Sequence, residues 1–228
     1  MTADHETTGT QTAPFPPIVL IGAPGAGKTT VGAALAARLG VPFTDTDAIV
    51  EAAAGKPVSE IFITDGEPEF RRLERAAVAA ALAGGEGTAG EGTAGEGTAG
   101  EETAGEETGG AGTGGEGTAG PAVVGVGGGA VMDERTQARL AGQRVVYLET
   151  GFSELAKRVG LDRARPLLIG TNPRAQLKAL LEQRLPVYAR LAWLTVRTDG
   201  RDPDEIAAEI AAVIEGGAIT SGVVGGGR

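Results

Sequence analysis

The chain has no cysteine and a single histidine, His5, among its 228 residues. The first absence excludes disulfides and thiolate metal sites. The second confines imidazole chemistry to a polar N-terminal stretch, so a metal held here must be met by carboxylate, hydroxyl and phosphate oxygens. No apolar run reaches the roughly 18 residues of a membrane-spanning helix, and Met1 to Pro17 lacks the basic start and continuous apolar stretch of a signal peptide. A soluble, cytoplasmic protein is the expectation. Positive charge is also short, with 20 Lys and Arg against 30 Asp and Glu and a net charge of −10.

That acidity is local. Between Gly84 and Gly120 the sequence cycles through Glu-Gly-Thr-Ala-Gly and close variants, with no apolar side chain larger than alanine. The segment holds eight glutamates and no base, which leaves the remainder only −2. Such a composition cannot offset backbone ordering of roughly 1–2 kcal/mol per residue, so residues 84–120 are expected to be a disordered insert. The tails 1–16 and 216–228 are expected to be disordered as well. What remains is about 165 residues, the size of one domain, and it gives no electrostatic case for nucleic acid. No long exposed apolar stripe is evident, so a monomer is expected.

Outside the insert, strand and helix signals alternate, the pattern of a three-layer α/β/α sandwich on a five-stranded parallel sheet. Ile18 to Ile21 is an apolar strand, and Lys28 to Leu39 a helix stopped by Gly40. A strand over Val41–Thr44 leads into Asp45-Thr46-Asp47 and a helix through Ala54. Thr64 and Glu67 have capping-box spacing ahead of a helix ending at Gly84. Further strands are expected over Ala122–Val126, Val145–Leu148 and Leu194–Arg197. Helices are expected over Phe152–Val159, after Asn172-Pro173 to about Ala189, and after Asp202-Pro203 to Gly216.

Gly22-Ala23-Pro24-Gly25-Ala26-Gly27-Lys28-Thr29 fits G-x-x-x-x-G-K-[ST] in the setting that pattern needs, after an apolar strand and opening a helix. Glycines let backbone N–H groups turn inward around phosphate oxygens, and the helix amino end adds positive partial charge. Gly25, Ala26, Gly27, Lys28, Thr29 and Thr30 are therefore candidate nucleotide contacts. Lys28 is expected at the β- and γ-phosphates, and Thr29 is expected to offer its hydroxyl to Mg²⁺. No Asn-Lys-x-Asp for guanine occurs, and no apolar strand beyond the first 50 residues ends in a simple metal-side aspartate, which leaves Asp45 and Asp47 as the metal-side carboxylates.

Together with that loop, Asp45-Thr46-Asp47, Phe70-Arg71-Arg72-Leu73-Glu74, Gly127-Gly128-Gly129-Ala130 and Arg165-Pro166-Leu167-Leu168 resemble the shikimate kinases in order and spacing once the insert is removed. The resemblance covers Pro17 to Glu215, a P-loop domain at 17–215 interrupted by the insert. It implies an ATP- and Mg²⁺-dependent enzyme that phosphorylates the 3-hydroxyl of shikimate, in the route to chorismate and the aromatic amino acids. It puts Asp45 near the metal, and Asp47 on substrate hydroxyls as base or orienting group. Arg71 and Arg184 would bind the substrate carboxylate, and Gly128 and Gly129 would line its close approach. Arg165 would act from a lid loop at 160–172, and Arg158, Arg201 and Pro203 would flank the adenine. Other readings stand beside these. Asp45 or Asp47 can cap a helix, and either arginine can simply pair with a nearby glutamate. The phosphate loop also resembles adenylate kinase, and a gluconate kinase-like enzyme or a silent nucleotide-binding scaffold shares its outline.

Overall fold

Ile18–Ile21 (β1) consists of four apolar residues, all fully buried, and its period-2 alternation divides the molecule into layers. Ile18 and Leu20 enter a core shared with α1 (Lys28–Leu39) and α8 (Pro203–Glu215). Val19 and Ile21 enter a second core shared with α4 (Gly66–Leu82) and α5 (Glu134–Leu140). The same split recurs in β4 (Arg144–Glu149), where Val146 and Leu148 face the first core and Val145 and Tyr147 the second. The computed structural model describes residues 16–83, 122–159 and 173–216. The expected tails short of residue 16 and beyond Gly216, the insert, and the lid loop with Arg165 lie outside the described residues.

The sheet is parallel throughout, in the order β2 (Phe43–Asp45), β3 (Val123–Gly125), β1, β4, β5 (Leu194–Arg197). The chain leaves β1 for one side through β2 and β3, then crosses to the other side for β4 and β5. A crevice forms at the carboxyl ends of strands around such a switch. The five-stranded α/β sandwich expected from the alternating pattern is the fold observed.

Helix boundaries follow their local chemistry. α1 ends at Gly40, whose φ of 66° supplies the left-handed turn and whose N–H closes onto Ala36 and Ala37. α8 starts on Asp202, whose side chain accepts from the Asp204 N–H, with Pro203 at the first helical position. α2 (Thr46–Ala54) begins directly at the end of β2. α6 (Phe152–Arg158) follows β4. α7 (Pro173–Leu191) serves both cores, Leu177 and Leu181 the first and Tyr188 and Leu191 the second, with Pro186 between the halves.

The capping box expected at Thr64 and Glu67 is not formed. A seven-residue helix, α3 (Val58–Thr64), precedes α4 and claims Thr64 as its last residue, with its hydroxyl donating to the Glu60 carbonyl. Asp65 stands between the two helices and pairs with Lys56 at 2.6 Å. Both α3 and α5 are too short to show a readable period. Ile61, Val50, Phe70 and Ala77 form a small separate cluster that packs α2, α3 and α4 together over the carboxyl end of the sheet. Removing a side chain such as fully buried Leu20 from the main core costs about 2–5 kcal/mol by the usual Leu→Ala scale.

Candidate active site

Four strand ends open onto one cleft of about 830 Å³. After β1 comes the phosphate loop, in which Gly25 and Gly27 take φ of 84° and 93°, a region that side-chain-bearing residues rarely adopt. Lys28 arches over its own loop, its ammonium donating to the carbonyls of Gly22 at 3.0 Å and Ala23 at 3.2 Å. Gly25, Ala26, Gly27, Lys28, Thr29 and Thr30 all line the cleft.

At the end of β2, Asp45 has two jobs at once. One carboxylate oxygen caps α2 by accepting from the Asp47 N–H at 3.0 Å, and the other accepts the Thr29 hydroxyl at 2.7 Å. Asp45 therefore caps α2 and lies beside the phosphate loop at once. This pair of hard oxygen donors suits Mg²⁺, which keeps several waters and phosphate oxygens rather than an all-protein cage. Among the described residues no group of three or more His, Cys, Asp or Glu could hold a metal ion.

After β3 the chain makes the Gly127–Gly129 turn, and each glycine is crowded by a different part of the site. A Cβ on Gly127 would lie 2.6 Å from Asp47 Oδ1 and 3.1 Å from Glu74 Oε1. One on Gly128 would lie 2.9 Å from the Gly22 carbonyl oxygen, in the phosphate loop. One on Gly129 would meet Arg71 Nη1 and Nη2 at 2.7 and 3.2 Å and Arg184 Nη2 at 3.3 Å. The turn is therefore the common floor on which the aspartate, both arginines and the phosphate loop meet.

Arg71 is held by α4 itself. Its Nη1 donates to Glu74 at 2.6 Å, and its Nε and Nη2 donate to Glu67 at 3.2 and 3.1 Å. Of five guanidinium N–H groups, one on each terminal nitrogen lies beyond these bonds, and both terminal nitrogens face Gly129. The two glutamates thus fix the plane of the guanidinium, and these ion pairs do not use all of its N–H groups. Burial works against the Arg71 charge, but Glu74 and Glu67 outweigh it and hold the pKa above its usual value. Glu74 is only 3% exposed. Burial, foremost, lifts its carboxyl above the ordinary range, and Arg71 partly pulls it back.

Glu74 stands outside the candidate set read from the sequence, although its i, i+3 spacing from Arg71 is a usable signal. Arg184 comes from α7, is itself buried, and stands one helical turn before Tyr188. On the far side of the phosphate loop, Arg158, Arg201 and Pro203 line the same cleft. Arg158 is braced by Glu154 at 2.9 Å and the Thr198 carbonyl at 3.1 Å. Arg201 is braced by the Arg197 carbonyl at 3.0 Å and Glu209 at 2.6 Å. Every candidate site residue from the sequence lines this cleft except Arg165, which lies outside the described residues.

Comparison with known proteins gives the arrangement relatives. A family profile described as "Shikimate kinase" matches residues 24–88 and 117–215, passing over most of the glutamate- and glycine-rich insert. The chain is 53% identical over 196 residues to a shikimate kinase of Thermobifida fusca, spanning 86% of this chain and 93% of that protein. It is 48% identical over 199 residues to one from Salinispora arenicola, spanning 87% and 98%. Among solved structures, a shikimate kinase from Acinetobacter baumannii in complex with shikimate superposes with a TM-score of 0.70 at 28% identity, covering 90% of this chain and 96% of the other.

Proposed function

Because the chain belongs to the shikimate kinase family, we propose that it transfers the γ-phosphoryl group of ATP to the 3-hydroxyl of shikimate, giving shikimate 3-phosphate and ADP. The observation that carries this reading is the single cleft in which the phosphate loop faces Asp47, Arg71, Arg184 and the glycine turn. A small polyol carboxylate needs fixed cations at one end and a proton acceptor at the other. The two guanidinium groups converging on Gly129 and the carboxylate against Gly127 supply that polarity.

In this reading the phosphate loop and Lys28 hold the triphosphate, and Arg158, Arg201 and Pro203 flank the base. Arg71 and Arg184 orient the acceptor through its carboxylate, so that the hydroxyl to be phosphorylated lies between Asp47 and the γ-phosphate. Asp47 holds that hydroxyl by its proton and accepts the proton as the oxygen attacks in line. Mg²⁺, held by Thr29 and on the Asp45 side of the loop, would supply neutralisation of phosphate charge. Arg165 rests on the family resemblance alone for its place at the transferring group. A monomer acting in the cytoplasm completes the proposal.

ADP release measured with shikimate, gluconate, AMP and CMP as acceptors tests it. Turnover is expected with shikimate alone, and comparable rates with AMP or gluconate would overturn the assignment.

A further inference from the structure

The Gly127–Gly129 turn has no side chains with which to hold its own place. Ladder pairing of β3 stops at Gly125, and the last strand-like bond is Val126 N–H to the Leu20 carbonyl at 3.0 Å. Beyond that point the turn keeps two local backbone bonds, Ala130 N–H to the Gly127 carbonyl and Met132 N–H to the Gly129 carbonyl, each at 3.0 Å, and is tied to the rest of the fold by two buried hydroxyls. The Gly127 N–H donates to Thr46 Oγ1 at 3.0 Å, and the Gly128 carbonyl accepts from the Tyr188 hydroxyl at 2.6 Å. Both Thr46 and Tyr188 have no exposed surface.

Each hydroxyl is adjacent to a group that faces the acceptor space. Thr46 immediately precedes Asp47, whose Oδ1 rests against Gly127, so one residue ties down the turn and the next places a carboxylate on it. Tyr188 lies one helical turn from Arg184 on α7 and stacks on Tyr147 at 5.3 Å between ring centroids. Gly129, on the same turn, faces Arg184 and Arg71. A shift of the turn therefore moves the seat of the aspartate and the seat of both guanidinium groups together.

We propose that Thr46 and Tyr188 are positioning residues, which act through the glycine turn to set the distance between the hydroxyl-orienting aspartate and the carboxylate-binding arginines. The proposal rests on the acceptor reading given above. Thr46→Val keeps shape and removes the acceptor, leaving the buried Gly127 N–H without a partner, so the turn relaxes away from Asp47. Thr46→Ser keeps the oxygen. Tyr188→Phe keeps the ring on Tyr147 and removes only the hydroxyl.

The experiment is steady-state kinetics in both substrates, with thermal melts of each variant. For Thr46→Val, kcat/KM for shikimate falls about tenfold while KM for ATP stays within about twofold, the scale expected from one lost hydrogen bond. Thr46→Ser returns kcat/KM to within about threefold of the parent, and Tyr188→Phe raises KM for shikimate about fivefold with a smaller change in kcat. A purely structural role would lower the melting temperature and the active fraction without separating the two substrates, and that result overturns the proposal. Unaltered shikimate kinetics in Thr46→Val or Tyr188→Phe overturns it too, and Tyr188→Phe decides the matter if Thr46→Val does not fold. A parent chain with no shikimate-dependent turnover overturns the acceptor reading as well. Parent turnover with unaffected variants overturns the pins alone.

Discussion

The phosphate end of the cleft is one stretch of chain, Gly22 to Thr30, and its shape is mainly backbone: two left-handed glycines, a helix amino end, and a lysine bound to its own loop's carbonyls. The acceptor end draws Asp47 from α2, Arg71 and Glu74 from α4, Arg184 from α7 and three glycines from the turn after β3. Its shape is set by side chains and by how four segments pack. The first end depends on local covalent spacing, whereas the second depends on the whole fold being in register. Damage at the first should thus affect the phosphates alone, and damage at the second should divide between chemistry and acceptor affinity.

The sharpest break between the two ends is Lys28→Ala, which is expected to lower kcat about 10³-fold while leaving shikimate binding by titration calorimetry unchanged. Equal loss of shikimate binding would show that the ends are not separable. Next in size is Asp47→Asn, expected to reduce kcat about 10²-fold with ATP affinity intact. Near-normal turnover in that variant would remove Asp47 from the chemistry. Arg71→Lys keeps the charge but loses the two-pronged edge, so KM for shikimate should rise about tenfold with KM for ATP unaffected. A rise in the ATP value instead would place Arg71 on the phosphate side. The smallest effect is expected from deleting residues 84–120 and joining the flanks with a short linker, which should leave kcat and both KM values within about twofold because loop-closure cost varies slowly with length. A large loss there would mean that the acidic repeat acts on the cleft.

Several acceptor-side residues illustrate what can and cannot be read in advance. Arg71 and Glu67 or Glu74 are i, i+4 and i, i+3 neighbours, so an ion pair on α4 is visible in the spacing alone. That Glu74 is buried, and that burial pushes its carboxyl upward, depends on α2 and the glycine turn closing over it. The Thr64–Glu67 capping signal misled because it is a pattern of four residues, and the preceding Ile-Phe-Ile segment found its own helix by burying Ile61.

Sequence alone determined the phosphate loop, the alternation of apolar strands with helices, and the stops and starts at Gly40, Asp45 and Asp202, because each rests on interactions within a few residues of itself. Tertiary structure alone decided that Thr46 meets Gly127, that Tyr188 meets Gly128, and that two arginines from different helices converge on Gly129. Those contacts join segments tens of residues apart, and their partners are set by strand order and helix packing, which no local spacing encodes.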